Sequence, residues 1–126
     1  MKNADTAMYH AKAQGRNNIQ FFTAAMNAAA AERLELERDL RSAIAAGQLE
    51  LHYQVQVCTF SGLACGVEAL VRWHHPQRGM VAPGQFIPIA EKSGLIEPLG
   101  AWVLEEACRQ IAAWRETDIR GVRMAV

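Results

Sequence analysis

The sequence predicts an α/β fold organised around an antiparallel hairpin, on three observations. Residues 49–57 and 63–73 alternate side chains with period two, residues 97–116 carry a helical apolar stripe, and residues 122–126 alternate again. The order strand, strand, helix, helix, strand suits an α/β domain. A chain of 126 residues with 51% hydrophobic and 21% charged residues is also in the range of soluble globular domains.

Taken in order, residues 4–14 place Ala4, Ala7, Met8 and Ala11 at helical spacing and stop at Gly15, which predicts a short helix. Ile19, Phe21 and Phe22 suggest a brief strand over 18–22. From Thr23, a good N-cap, to Gly47, a good stop, one long helix rich in Ala, Leu, Glu and Arg is expected. Leu36, Leu40, Ala43 and Ile44 form its stripe, and Glu37 with Arg41 sits in the favourable i,i+4 order. Such a narrow stripe with charged flanks reads as a connector able to pair with its own copy.

In the first hairpin strand Leu49, Leu51, Tyr53, Val55 and Val57 oppose Glu50, His52, Gln54 and Gln56. Ser61-Gly62 marks the turn, and the second strand sets Cys65, Val67, Ala69, Val71 and Trp73 against Gly66, Glu68, Leu70 and Arg72. Residues 74–83 read as a loop, with His74-His75 and the isolated His52 and His10 taken as ordinary polar residues rather than metal ligands. A helix is expected over 84–93, restricted by Pro88 and ended by Gly94. In the last helix Val103, Leu104, Ala107, Cys108, Ile111 and Trp114 share one arc, and Trp102 falls on the polar side.

Composition excludes several classes. Thirteen Lys and Arg balance thirteen Asp and Glu, so no basic field is present to hold a nucleic acid polymer. No apolar run approaches the ~20 residues of a membrane span and no signal peptide is recognisable, which makes a cytoplasmic chain the expectation. Cys58, Cys65 and Cys108 lack C-x-x-C spacing and are expected as small core residues. The three tryptophans are expected to pack rather than to stack on bases.

The chemistry-bearing feature is the second strand, where Glu68, Leu70 and Arg72 share a face opposite an apolar one. Four strand residues separate the bases of Glu68 and Arg72 by about 13 Å. Either they address different parts of one ligand, a carboxylate for a cation and a guanidinium for a phosphate, or the face is simply solvated.

The letters around this strand resemble those of EAL domains, the bacterial cyclic di-GMP phosphodiesterase family. The matching blocks are Leu51-His52-Tyr53-Gln54, Gly66-Val67-Glu68-Ala69-Leu70-Val71-Arg72-Trp73, His74-His75-Pro76 with Gly79, Pro83-Gly84-Gln85-Phe86-Ile87-Pro88-Ile89-Ala90-Glu91, and Ser93-Gly94-Leu95-Ile96. Residues 4–12, with Gly15-Arg16-Asn17, are similarly like the closing helix and turn of a GGDEF domain, the diguanylate cyclase module. The resemblance implies three parts: a GGDEF remnant over 1–22, a helical linker over 23–47, and the N-terminal part of an EAL domain over 48–126. It also implies an incomplete (β/α)8-type barrel whose first strand is antiparallel to the rest. A full barrel of this class takes about 250 residues, so the expectation is a slice of a tandem protein.

By the same resemblance Glu68 matches the catalytic glutamate that ligates Mg²⁺ or Mn²⁺ in the complete parent. Arg72 matches the arginine on a substrate phosphate, Gln54 the Tyr-Gln glutamine, and Leu70 the leucine lining the ligand site. Val55 stands where the family commonly has proline, and Glu91 is left outside the site. The implied activity of the parent is metal-dependent cleavage of cyclic di-GMP to linear pGpG. The remaining acidic ligands lie on later strands in the family, so the isolated chain is expected to be inactive. The alternatives are a module that binds cyclic di-GMP without cleaving it, and a regulatory or structural piece that self-associates through its linker helix or open strand edges.

Overall fold

The computed structural model describes residues 24–117, 119 and 121–126. The helix and strand expected over 4–14 and 18–22 lie outside them, as does the GGDEF-like stretch. The chain divides into two compact units, Met1–Glu35 and Leu36–Val126. Within the first, the described residues form the opening turns of helix α1, Ala24–Ala45. All that follows concerns the second unit.

After α1 come β1 (Leu49–Val57), β2 (Ala64–His75), β3 (Gly79–Val81), α2 (Pro83–Ser93), α3 (Ile96–Trp114) and β4 (Met124–Ala125). The expected hairpin is present: β1 runs antiparallel to β2 with Leu49 opposite Trp73 and Val55 opposite Val67, and a register irregularity falls between Gln56 and Val57. β3 pairs antiparallel with the end of β2, and β4 pairs parallel with its beginning. The first strand therefore opposes β2 while a later one follows it.

Alternation explains the layers. Odd residues of β1 and β2 face the helices, and Leu49, Leu51, Val67, Ala69 and Trp73 are buried there. Even residues face away and, apart from Gly66, are exposed or half-buried. The larger core cluster joins Leu36, Leu40 and Ala43 of α1 to Leu49, Trp73 and Val81 of the sheet, and to Phe86, Ile89 and Leu99. A second cluster gathers Leu51, Ala69 and Ala107, with Tyr53, Trp102, Val103 and Met124 against it. Among the described residues, helices thus cover one face of the sheet.

Trp73 is wholly buried, meets Phe86 edge-on at 5.7 Å between ring centroids, and donates its indole N–H to Gln48 Oε1 at 3.3 Å. Tyr53 and Trp114 make a similar edge contact at 4.9 Å that seats the end of α3 on β1. All three tryptophans pack, as expected. Gly94 takes φ 78°, the left-handed conformation that closes α2. Pro88 lies inside α2 without breaking it.

Four expectations are corrected. His74 and His75 are not in a loop but end β2, because Gly79 supplies a positive-φ turn that folds β3 back onto them. His75 is buried: its Nδ1 accepts the N–H groups of Gln77 and Arg78 and its Nε2 bonds Asp39 Oδ2 at 3.1 Å. With Nδ1 occupied as an acceptor, the ring proton sits on Nε2 and is donated to the carboxylate. In α3 the buried side is set by Leu99 and Ala107, so Trp102 packs inward whereas Leu104 and Cys108 turn outward. Cys65 is likewise exposed and Cys58 half-buried, so the thiols are not core residues. The expected Glu37–Arg41 pair is present at 3.6 Å.

Two outcomes follow. Trp73→Ala should lower the unfolding free energy by about 3–5 kcal/mol, read from urea denaturation followed by circular dichroism. The Asp39 carboxyl is held below its ordinary range, chiefly by the His75 hydrogen bond and, against the cost of desolvation, by Arg38. A carboxylate depressed in the folded state stabilises it above the unfolded value of about 4 and loses that contribution as pH falls through the folded one. The melting temperature should therefore drop on acidification below that value, and drop less steeply in Asp39→Asn.

Candidate functional site

The uncovered face of the hairpin carries every residue singled out for chemistry. Register places Gln54 opposite Glu68, His52 opposite Leu70, and Glu50 opposite Arg72. At about 3.3 Å per residue the rows lie roughly 7 Å apart, so Glu68 and Arg72 stand at separate ends of one strip. Glu68 and Gln54 are exposed, whereas Leu70 and Arg72 are half-buried. On the other side of Glu68 its parallel partner is Ala125 of β4. The four residues Gln54, Glu68, Leu70 and Arg72 are thus brought onto one surface.

β4 reaches this position because Gly66 lets it. The Val67 amide donates to Arg123 O at 2.8 Å, and a Cβ at Gly66 would lie 3.0 Å from that same oxygen. The glycine of the motif is therefore required by the approach of the neighbouring strand.

Arg72 and Glu50 are direct cross-strand neighbours of opposite charge, an arrangement that ordinarily forms an ion pair. They do not form one. Arg72 Nη1 donates to the carbonyl of Val71 at 2.9 Å, and Glu50 Oε1 instead meets His52 Nε2 at 2.5 Å and His74 Nε2 at 2.6 Å. Those hydrogen bonds, His74 first and His52 second, hold the Glu50 carboxyl below its ordinary range. Sequence reasoning missed this group. Its signal was present in the parity of the strands: Glu50 and His52 are even positions of β1, and extending β2 past Trp73 puts His74 on the same face.

Two clefts among the described residues lie apart from this strip. One of about 200 Å³ is lined by Arg38, Asp39, Gln48 and His75, and another of about 350 Å³ by Val55, Gly66, Ile119 and Val122. The strip from Gln54 to His74 is an open surface. It resembles one wall of a site, with a carboxylate and an amide at one end and a guanidinium beyond an apolar leucine.

A sheet of this topology, with an antiparallel first strand, a later parallel one and acidic and basic groups on its bare face, is what one segment of an α/β barrel presents. The EAL domain family model matches residues 37–126, and the chain belongs to that family. It is 59% identical over 114 residues to the bifunctional diguanylate cyclase/cyclic di-GMP phosphodiesterase MucR of Pseudomonas aeruginosa, covering 90% of this chain and 17% of that protein. It is 47% identical over 126 residues to the cyclic di-GMP phosphodiesterase PdeR of Escherichia coli, covering 100% of this chain and 19% of that protein. The chain thus spans less than a fifth of the length of these relatives. Among solved structures, the PaMucR phosphodiesterase in complex with c-di-GMP aligns with TM-score 0.66 and 50% identity over 71% of this chain and 36% of that one.

Because Gln54 and Glu68 are exposed, they contribute little to folding. Gln54→Ala and Glu68→Ala should each change the unfolding free energy by less than about 0.5 kcal/mol, measured by urea denaturation. A loss as large as that of a core residue would show that they are structural.

Proposed function

We propose that this chain supplies the first wall of a cyclic di-GMP phosphodiesterase site in a larger signalling protein. One observation carries the reading: Gln54, Glu68, Leu70 and Arg72, matched to family positions by motif, share one uncovered face at cross-strand register. In this reading Glu68 is the catalytic glutamate and holds the divalent cation, Arg72 grips a phosphate through its planar fork, and Gln54 and Leu70 line the ligand.

The donor set tests the metal. Glu68 offers a carboxylate oxygen, and its cross-strand neighbour Gln54 offers an amide oxygen, both hard ligands suited to Mg²⁺ or Mn²⁺. One carboxylate does not complete an octahedral site, so further acidic groups must come from chain outside these residues. When bound, such ions supply activated water and charge neutralisation for phosphodiester hydrolysis. The residues present bind and orient. Arg72 holds phosphate oxygen by charge-assisted hydrogen bonds, while Leu70 offers an apolar contact for the ligand between the two polar ends.

The proposed organisation is a cyclase remnant over 1–22, a linker helix over 23–47 and the barrel segment over 48–126. Among the described residues no helix is long and apolar enough to cross a membrane. The outer edge of β1 has no strand partner among those residues, and Val55, Val57 and Leu63 are exposed nearby. These features support self-association of the isolated chain through open edges.

The test compares the 126-residue chain with a longer one extended to the relatives' EAL length. With Mg²⁺ or Mn²⁺ the longer chain should convert cyclic di-GMP to linear pGpG, detected by chromatography, and the short chain should not. Glu68→Gln should reduce turnover by about a hundredfold or more. Arg72→Ala should weaken ligand binding by about tenfold, the value of one charge-assisted hydrogen bond. Binding without product in the longer wild-type chain would instead assign a non-catalytic receptor.

A further inference from the structure

We propose that Glu50, His52 and His74 form a second cation site on the hairpin face, one suited to Zn²⁺ or a similar borderline transition metal. It is chemically distinct from the oxygen-donor end at Glu68. One ligand atom from each of the three side chains lies within 4.8 Å of the others. The chain holds them by two independent constraints. Glu50 and His52 are two residues apart on β1 and so project the same way, while register brings His74 of β2 beside them.

The donors decide which metal. Two imidazole nitrogens and one carboxylate oxygen are the set that binds Zn²⁺ at about 2.0–2.2 Å, with a fourth position left to water or ligand. Mg²⁺ and Ca²⁺ prefer all-oxygen surroundings and are disfavoured. Glu50 Oε1 lies between the two Nε2 atoms, at 2.5 and 2.6 Å. A carboxylate can only accept, so each Nε2 carries its ring proton in this arrangement. To ligate, each neutral imidazole shifts that proton to Nδ1 and presents the Nε2 lone pair. The ligand atoms then separate slightly around the ion. Side-chain exposures of 47% for Glu50, 50% for His52 and 49% for His74 leave room for that adjustment and for entry of the metal.

The position gives the site a consequence. Arg72 is the direct cross-strand partner of Glu50, so a dication held there adds positive charge beside that guanidinium. Such an ion neutralises Glu50 and strengthens the attraction of this end of the strip for a phosphate.

The experiment uses the full 126-residue chain under reducing conditions. Zn²⁺ titration by calorimetry should show one ion per chain, and Co²⁺ should give the intense visible absorption of a low-coordinate nitrogen and oxygen site. His52→Gln, His74→Gln and the isosteric Glu50→Gln should each weaken Zn²⁺ by about tenfold or more. Cys65→Ser, Cys108→Ser and Glu68→Gln should leave it unchanged. Circular dichroism and melting temperature confirm that each variant is folded, as expected for replacements at half-exposed positions. Undiminished binding in both histidine variants, loss of binding in Cys65→Ser, or no binding by the wild-type chain would each overturn the proposal. Because the readout is metal affinity, failure here is separate from failure of the phosphodiesterase reading.

Discussion

The constraint on which the rest of this structure depends is the pairing register of β1 and β2. A strand has two faces, and this hairpin commits one to Leu49, Leu51, Ala69 and Trp73, which the helices bury. Everything polar on the even positions is thereby assembled on the other face. A slip of one residue in β1 would bring Glu50 and His52 under the helices and expose Leu49 and Leu51, so burial itself enforces the alignment of Gln54 with Glu68. The irregularity at Gln56/Val57 falls beyond that row, toward the turn. The rows of Glu50, His52 and Gln54 keep regular pairing.

Anchoring of the register falls largely to the far end. Trp73 is buried opposite Leu49, and its indole bonds Gln48 just before β1 starts. His75, two residues on, ties the same strand to Asp39 of α1 and to the amides that open the β2–β3 turn. Helix, strand and turn thus meet at one imidazole whose two nitrogens have fixed and different tasks. The pairs next to the turn lack comparable support. Val55 and Val57 remain exposed, and among the described residues the short β4 alone lies on the outer edge of β2 near Glu68.

Much of this was readable from letters because period-two alternation is a local property. Leu49 through Val57 and Cys65 through Trp73 announce both strands and sort their side chains by face, so Glu68, Leu70 and Arg72 could be placed together from periodicity, whereas Gln54 joined them only through the motif resemblance. What could not be read depends on contacts distant in sequence. The extension of β2 through His74 and His75 rests on β3 folding back, and Pro76 with Gly79 looks like ordinary loop chemistry until that pairing is seen. The inward turn of Trp102 and the exposure of Leu104 and Cys108 follow from where α3 lies on the sheet, a rotation of the wheel that its own sequence leaves open. The Glu50–His52–His74 group was hidden for the first of these reasons.

Charge on the uncovered face gives the arrangement its chemical sense. Glu50 and Glu68 contribute two carboxylates, Arg72 one guanidinium, and the histidines in their neutral forms none. The strip is therefore negative by about one charge, whereas the ligand of the proposed reading carries two phosphates. An arginine alone, about 13 Å along the strand from Glu68, does not remove the repulsion between that carboxylate and an approaching phosphate. Opposite charge must be imported at the Glu68 end, and a divalent cation is the compact way to do it. In the proposed reading, dependence on metal follows from the electrostatics of this one strand: Glu68 repels a phosphate when bare and attracts it once an ion is bound. The same logic applies to Glu50 at the other end, where two imidazoles occupy the carboxylate and keep it from pairing with Arg72. Arg72 is thereby left without a carboxylate across the strand, and its Nη1 turns to the Val71 carbonyl instead.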